Sequence, residues 1–434
     1  EHQAGCLALE FGGESTSLSA HRTPLCGDHF RLKRCPGLVD HYIGLDHRLG
    51  GRLMELVWAT ELLVIGGRPY PGFPILLWDT MDSCVPANEF MRHFLLRGAI
   101  GSRKSWPSTG RALYDFFSFL QAHELDWRDV DRGEAKSVVA GYRDYCLVEC
   151  QLARSTTRQR LHYICKFYEY AQQQEWVSRL PFGYEERKIK RAPGFLAHID
   201  ASGGKAMVND VMPRQHRVLP KFLSMDEIKE LLEKAENPHH RMMIRLGLQT
   251  GLRRAEIASF PLAYVFDPDK AGRHERNIRI RLDPHDGHGM RTKGSKPRDI
   301  YISRRFLADL YRYVVQVRGE RASLSRTQHK SLFLNQFGEP YADDGKRIER
   351  IVREIGKRAD IKVHTHMLRH TYATHTLVAL QRNGSSLEPL VFVQRQLGHS
   401  SIQTTMVYLH LVNELADNAV LAYDDELSDD LGAV

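Results

Sequence analysis

The chain has 434 residues, 42% of them apolar and 26% charged, with a formal net charge of +8 and a pI near 9.0. This composition is typical of a globular protein with two or three domains, and its basic balance suits a polyanionic partner. No apolar run reaches the roughly 18 residues of a membrane span. Seven thinly spread cysteines argue against a disulfide scaffold and favour the cytoplasm.

The first two segments differ in pattern. Residues 1–82 are punctuated by Gly and Pro and show no long periodic segment, so we expect an N-terminal extension that serves as an arm or a dimer contact. Residues 83–184 turn helical. In "RSTTRQRLHYICKFYEYAQQQEW" the apolar side chains fall at helical spacing, while Arg158, Arg160 and Lys166 lie on the remaining surface. This pattern predicts a small helical domain.

A second domain follows a change in composition. Residues 185–219 contain Gly-Gly, two prolines and many basic residues, which predicts a basic linker. From residue 220, Ser224 and Glu227 predict a capping box at a helix start. "NIRIRL" alternates as a half-exposed strand does, and "HDGHGMRTKGSKPRDIYIS" suggests a strand, a turn and another strand. Helical patterns then resume and continue into a C-terminal helix and acidic tail, 413–434.

The stretch "HTHMLRHTYATH" (364–375) is the densest in chemistry-bearing side chains. His366 and His370 would share a helix face, as two zinc ligands can. Arg369 lies between them, however, and a fixed cation beside a metal raises the cost of metal binding. The alternative is an anion site, because a guanidinium binds phosphate bidentately and an imidazole supplies a donor or a proton. The HxxR pair alone is weak evidence for an anion site.

Three further stretches strengthen the anion site. "LQTGLRRAEIASF" places Arg253 near a helix start, with Glu256 three residues on; "TKGSK" places Lys293 before a glycine; "QLGHSSIQTTMVYLH" places His399 nine residues before Tyr408. In this order the motifs resemble those of the tyrosine recombinase (phage integrase) family. The resemblance covers about residues 220–412 by motif, and residues 83–184 match the family's helical DNA-binding domain in type and position only.

The resemblance implies a fold and a reaction. The fold is mainly α with a small antiparallel β-sheet, arranged as a two-domain, C-shaped DNA clamp. The reaction is site-specific cleavage and rejoining of double-stranded DNA through a 3′-phosphotyrosine, without metal or other cofactor, by a tetramer of like subunits in the bacterial cytoplasm at the nucleoid. The implied catalytic residues are Arg253, Lys293, His366, Arg369, His399 and the nucleophile Tyr408, with Glu256 in support and His370 in packing; the implied DNA contacts are Arg158, Arg160, Lys188, Lys190, Arg191, Lys296 and Arg298.

Several alternatives stay open at this level. Lys296 or Arg298 could be mistaken for the catalytic Lys293, and Tyr372 and Tyr423 are rival nucleophiles. A type IB topoisomerase would share the nucleophile and the clamp, although LGHSS argues against it. A DNA-binding regulator without activity would share the fold. The segment 413–434 is expected either to pack on its own domain or to dock on a neighbouring subunit.

Overall fold

The computed structural model describes residues 54–97, 103–132, 136–188, 205–214, 219–382 and 388–409. The chain divides between residues 216 and 217 into two compact units, which are described separately. None of the described helices is long and apolar enough to cross a membrane. The expected extension before residue 54 and the C-terminal segment 413–434 lie outside the described residues.

The first unit combines short ribbons with four helices. Strand β1 (Glu55–Trp58) pairs antiparallel with β4 (Pro74–Leu77), and β2 (Val64–Ile65) pairs with β3 (Arg68–Pro69) between them. The helices are α1 (Val85–Arg92), α2 (Trp106–Ala122), α3 (Val138–Asp144) and α4 (Arg154–Gln173), with π-helical turns following α1 and α3 at His93–Arg97 and Tyr145–Glu149. Strands β5 (Tyr184–Lys188) and β6 (Lys205–Asn209) pair antiparallel.

Two of the expected boundaries need correction. Met54, Phe73 and Leu76 are buried in the same core as the aromatic side chains of α2 and α4, so residues from 54 onward belong to this unit rather than to an extension ending at 82. The contact is close: a Cβ on Gly110 of α2 would lie 2.5 Å from Cβ of Pro74. Two parts of the expected linker 185–219 are also strands, at residues 185–188 and 205–209. Ribbons of four or five residues are too short to leave a readable period in the sequence.

The second unit is mainly helical. Its helices are α5 (Met225–Glu233), α6 (Pro238–Thr250), α7 (Arg254–Ala258), α8 (Arg304–Tyr313), α9 (Gly319–Ala322), α10 (Lys346–Arg358), α11 (Thr365–Arg382) and α12 (Pro389–Leu397), and residues 402–409 are also helical. A π-helical turn, Val314–Arg318, joins α8 to α9. Strands β7 (Asn277–Leu282) and β8 (Arg298–Ser303) pair antiparallel. Helix α11 packs against α6, α10 and α12, which places it in the middle of the unit.

Several predictions for this unit are confirmed. Ser224 and Glu227 form the capping box of α5, and "NIRIRL" is β7, with alternating exposed and buried side chains. The predicted hairpin over 285–303 is only half right, because its second strand alone forms and pairs with β7 instead. The long β7–β8 connection contains a short 3-10 turn, Lys293–Ser295. The mainly α fold with small antiparallel sheets is confirmed, as four separate two-stranded ribbons in the described residues.

Candidate active site

Helix α11 brings three of the candidate side chains together. Arg369 and His370 lie three and four residues after His366, so both are neighbours of His366 on the helix surface, and the ring centroids of His366 and His370 are 4.4 Å apart. The start of the helix is held in place by Glu349, whose carboxylate accepts hydrogen bonds from the backbone N–H and hydroxyl of Thr365. The face is therefore fixed at its first turn.

Arg369 is held by two helix ends. Its side chain is 1% exposed, and its guanidinium donates to the carbonyl oxygens of Gly251 and Leu397, each at 2.7 Å. Gly251 ends α6 with φ +64°, and a Cβ there would lie 2.6 Å from the ring of Tyr372. Burial and the neighbouring charge of Arg253 lower the pKa of Arg369 to about 9, which leaves it a cation at neutral pH.

Arg253 is oriented by a buried carboxylate. Glu256 is 1% exposed; it accepts from the backbone N–H of Arg253 at 2.8 Å and from its guanidinium at 3.1 Å. The same carboxylate binds Arg298 bidentately at 2.7 and 2.8 Å. Burial alone would raise the pKa of Glu256, but its hydrogen bonds to Arg298 and the charges of both arginines lower it. One carboxylate thus serves two guanidiniums.

His399 and Tyr408 come from the segment that follows α12. Gly398 ends that helix with φ +66°, and its carbonyl accepts from Arg253 at 3.3 Å. Nδ1 of His399 lies 2.9 Å from the hydroxyl of Thr405, which leaves Nε2 for another partner. The Tyr408 ring is 1% exposed, stacks on His399 with centroids 6.4 Å apart, and packs among the apolar side chains Ala373, Leu377, Val393 and Leu397.

The Tyr408 hydroxyl lies 2.9 Å from Nδ1 of His370. The sequence predicts a packing role for His370, and this direct contact with the candidate nucleophile corrects that prediction. His364 and His375 also make specific bonds: Nδ1 of His364 accepts from the backbone of Met367, and Nε2 of His375 donates to the carbonyl of Leu223. No local pattern in the sequence indicates the pairings of His370 and His375, because their partners lie 38 and 152 positions away.

Electrostatically the site is a cationic pocket with neutral rings. Desolvation and the adjacent arginine charges lower the pKa of His366 to about 4 and that of His399 to about 3. Burial raises the pKa of Tyr408, while Arg369 and Arg253 oppose that rise. At neutral pH the site therefore holds two guanidinium charges, uncharged imidazoles and an uncharged phenol. Such a site is suited to an anion with several oxygen acceptors.

The other predicted residues lie elsewhere. Lys293 and Lys296 are exposed on the β7–β8 connection, and no contact within the described residues joins Lys293 to the other five candidates. The side chain of Lys188 is outside the described set, as are Lys190 and Arg191. No group of three or more His, Cys, Asp or Glu in the described residues could hold a metal ion.

Three of the predicted DNA contacts have partners inside the protein. Arg298 completes the Glu256 pair, and its side chain is only 11% exposed. Arg160 forms an ion pair with Asp115 in the first unit, and Arg158 donates to the carbonyl of Pro213 at 2.6 Å. The sequence shows that these residues are basic but not where their side chains point. Here each of the three contacts an acceptor within the protein.

Comparison with known proteins shows that the chain is similar to DNA recombinases and to a transposase. Residues 221–414 match the phage integrase family. The tyrosine recombinase XerC of Lacticaseibacillus casei is 27% identical over 320 residues, which cover 72% of this chain and 89% of that protein. Transposase A of transposon Tn554 from Staphylococcus aureus is 26% identical over 247 residues, covering 55% of this chain and 62% of that protein.

A solved structure shares the fold. The crystal structure of the XerH site-specific recombinase, bound to its palindromic difH substrate after cleavage, aligns with a TM-score of 0.50 at 17% identity and covers 74% of this chain and 80% of that one.

Proposed function

Because the chain belongs to the phage integrase family and is a tyrosine recombinase, an enzyme that cleaves and rejoins DNA in site-specific recombination or transposition, we propose that Tyr408 is its nucleophile. The observation that supports this choice is the placement of Tyr408 against His399 and His370, within the charge field of Arg369 and Arg253. Of its rivals, Tyr372 packs its ring against Gly251, and Tyr423 lies outside the described residues.

The scissile phosphate would occupy the cationic pocket. Arg253 and Arg369 bind its non-bridging oxygens, because their orientation is fixed before the substrate arrives and charge develops on those oxygens during attack. Nε2 of His399 and the exposed ring of His366 add hydrogen bonds. Attack by Oη of Tyr408 on phosphorus breaks the bond to the 5′ oxygen and leaves a 3′-phosphotyrosine. The exposed Lys293 protonates the departing 5′ oxygen when the β7–β8 connection closes on DNA.

The assembly is also part of the proposal. The two units, with boundaries near 54–214 and 219–412, act as a clamp on double-stranded DNA, and four like subunits join two recombination sites at the bacterial nucleoid. The basic residues Lys188, Lys190, Arg191 and Lys296 contact phosphates. Recombination and transposition both join strands from two DNA sites, whereas a topoisomerase only relaxes DNA. A strand-exchange assay between two sites therefore distinguishes recombination or transposition from topoisomerase activity.

The nucleophile is tested with a nicked suicide substrate and denaturing electrophoresis. Wild type should give a covalent protein–DNA adduct, and Tyr408→Phe should give none while binding the same DNA with unchanged affinity. Tyr372→Phe is the matched control and should keep forming the adduct. An adduct that persists in Tyr408→Phe contradicts the assignment of Tyr408 as the nucleophile. A wild-type protein that binds DNA without forming an adduct contradicts the proposed function as a whole.

A further inference from the structure

A nucleophilic tyrosine must lose its proton as it attacks. A phenol has a pKa near 10 in water, and burial raises the pKa of Tyr408 further. At neutral pH the hydroxyl is therefore protonated in the resting protein, and a group within hydrogen-bond reach must take the proton as the new bond forms.

One such group is in contact with the hydroxyl. Oη of Tyr408 is 2.9 Å from Nδ1 of His370, the one hydrogen-bond partner recorded for Oη among the described residues. A buried hydroxyl proton is normally donated to an acceptor; in the tautomer of His370 that carries its proton on Nε2, Nδ1 accepts from the Tyr408 hydroxyl. His399 stacks on the ring, but its Nδ1 is engaged by Thr405.

Resting on the assignment of Tyr408 as nucleophile, we propose that His370 positions the Tyr408 hydroxyl and accepts its proton during attack. The oxygen–phosphorus bond forms while the phosphorus–O5′ bond breaks. The phenolic proton moves to the lone pair on Nδ1 of His370, and the electron pair of the broken bond leaves on the 5′ oxygen, which takes a separate proton from Lys293. In rejoining, His370 returns the proton to Tyr408. Each proton has one donor and one acceptor.

The surroundings of His370 make this step depend on DNA. From α11 it faces His364, His366 and Arg369; from the segments after α12 it faces His399 and Tyr408. Burial, the charge of Arg369 and the three neighbouring histidines lower the pKa of His370 to about 3 in the DNA-free protein. A phosphodiester anion held by the arginines offsets their charge and raises the basicity of the ring. His370 then becomes a competent base only when the scissile phosphate is in place.

Two substitutions separate proton transfer from packing. His370→Phe keeps a ring but removes both nitrogens. His370→Asn places an amide near the position of Nδ1, which can hydrogen-bond to Oη but cannot take its proton. We expect both variants to bind the nicked suicide substrate with wild-type affinity and to form the adduct about 100-fold more slowly in a single turnover, the low end of general-base effects.

The pH profile and the leaving group give independent readouts. Without His370 the proton must go to hydroxide, so the deficit of both variants should shrink as the pH rises from about 7 to 9.5, toward the pKa of the phenol. A 5′-bridging phosphorothiolate substrate, whose sulfur leaves without protonation, should not relieve the slowing, although it should relieve that of Lys293→Ala.

Three results would overturn the inference. These are a wild-type rate in His370→Asn, a deficit that does not change with pH, and full relief by the sulfur substrate. If wild type forms no adduct at all, the proposed function fails instead. If His370→Phe does not fold, as judged by circular dichroism, the comparison rests on His370→Asn alone.

Discussion

The buried carboxylate of Glu256 makes a strong prediction about stability. Glu256→Gln keeps the size of the side chain and part of its hydrogen bonding but removes the negative charge. Arg298, with 11% of its side chain exposed, and Arg253, with 23%, would then face each other and Arg369 without compensation. Removing one partner of a buried ion pair costs about 3 to 5 kcal/mol. For a unit of this size that loss lowers the Tm by roughly 6 to 20 °C.

The chain offers its own internal reference for this measurement. All five tryptophans lie in the first unit, at positions 58, 78, 106, 127 and 176, so tryptophan fluorescence reports the unfolding of that unit. In Glu256→Gln the fluorescence transition should stay in place, while the transition of the second unit, followed by hydrogen exchange of peptides from α11, should move. Glu275→Gln is the control, because Glu275 pairs with Arg273 on the surface.

The pH dependence has a definite sign. The pKa of Glu256 is lowered from 4.5 in the folded protein, so its contribution to stability is fully present above that value and is lost as the pH falls through the lower, folded pKa. The difference between wild type and Glu256→Gln should therefore narrow below about pH 4.5. If Glu256→Gln unfolds like Glu275→Gln at pH 7, the carboxylate does not hold the arginines as described.

Three further predictions concern binding, protonation and backbone strain. DNA affinity should fall linearly on a log–log plot as salt rises from about 50 to 200 mM, and a flat dependence would exclude a phosphate clamp. Because the pKa values of His370 and His399 are lowered from 6.5, stability should be full above pH 6.5 and fall toward pH 4 as the unfolded chain binds protons first; equal urea midpoints at pH 7 and pH 5 would contradict this. Gly398→Ala should destabilise the second unit by more than the roughly 1 to 2 kcal/mol of left-handed strain, because its Cβ would lie 2.6 Å from Cδ of Arg298, whereas Gly272→Ala, at φ +62° in open space, should show the strain alone.

The sequence predicts the part of this molecule that local rules govern. The capping box of α5 and strand β7 follow from side-chain spacing, and the motifs around Arg253, His366 and His399 identify the segments that meet at the site. Their assembly could be anticipated only through the family resemblance, because α11 contacts the end of α6 and the end of α12 through pairs that are 118 and 28 positions apart in sequence.

The sequence does not show where a side chain points or which partner it contacts. Arg298 and Lys296 are two positions apart in one basic run, yet one is buried on Glu256 and the other is exposed. His370 reads as a packing residue because its partner, Tyr408, is 38 positions away. Both pairings are decided by which strands and helices come together in three dimensions. The two glycines that end α6 and α12 were the available clue, since each marks a helix terminus that another side chain approaches closely.

The two carbonyls that hold Arg369 have a consequence for affinity. A free arginine side chain loses about 2 kcal/mol of rotamer entropy when it is fixed against a ligand. Here the side chain is fixed by Gly251 and Leu397 during folding, at the ends of α6 and α12. That entropy is lost once, in the folding of the domain, and not again at each encounter with a phosphate. Arg369 can therefore contribute more of its interaction energy to binding than an exposed arginine that must first be immobilised.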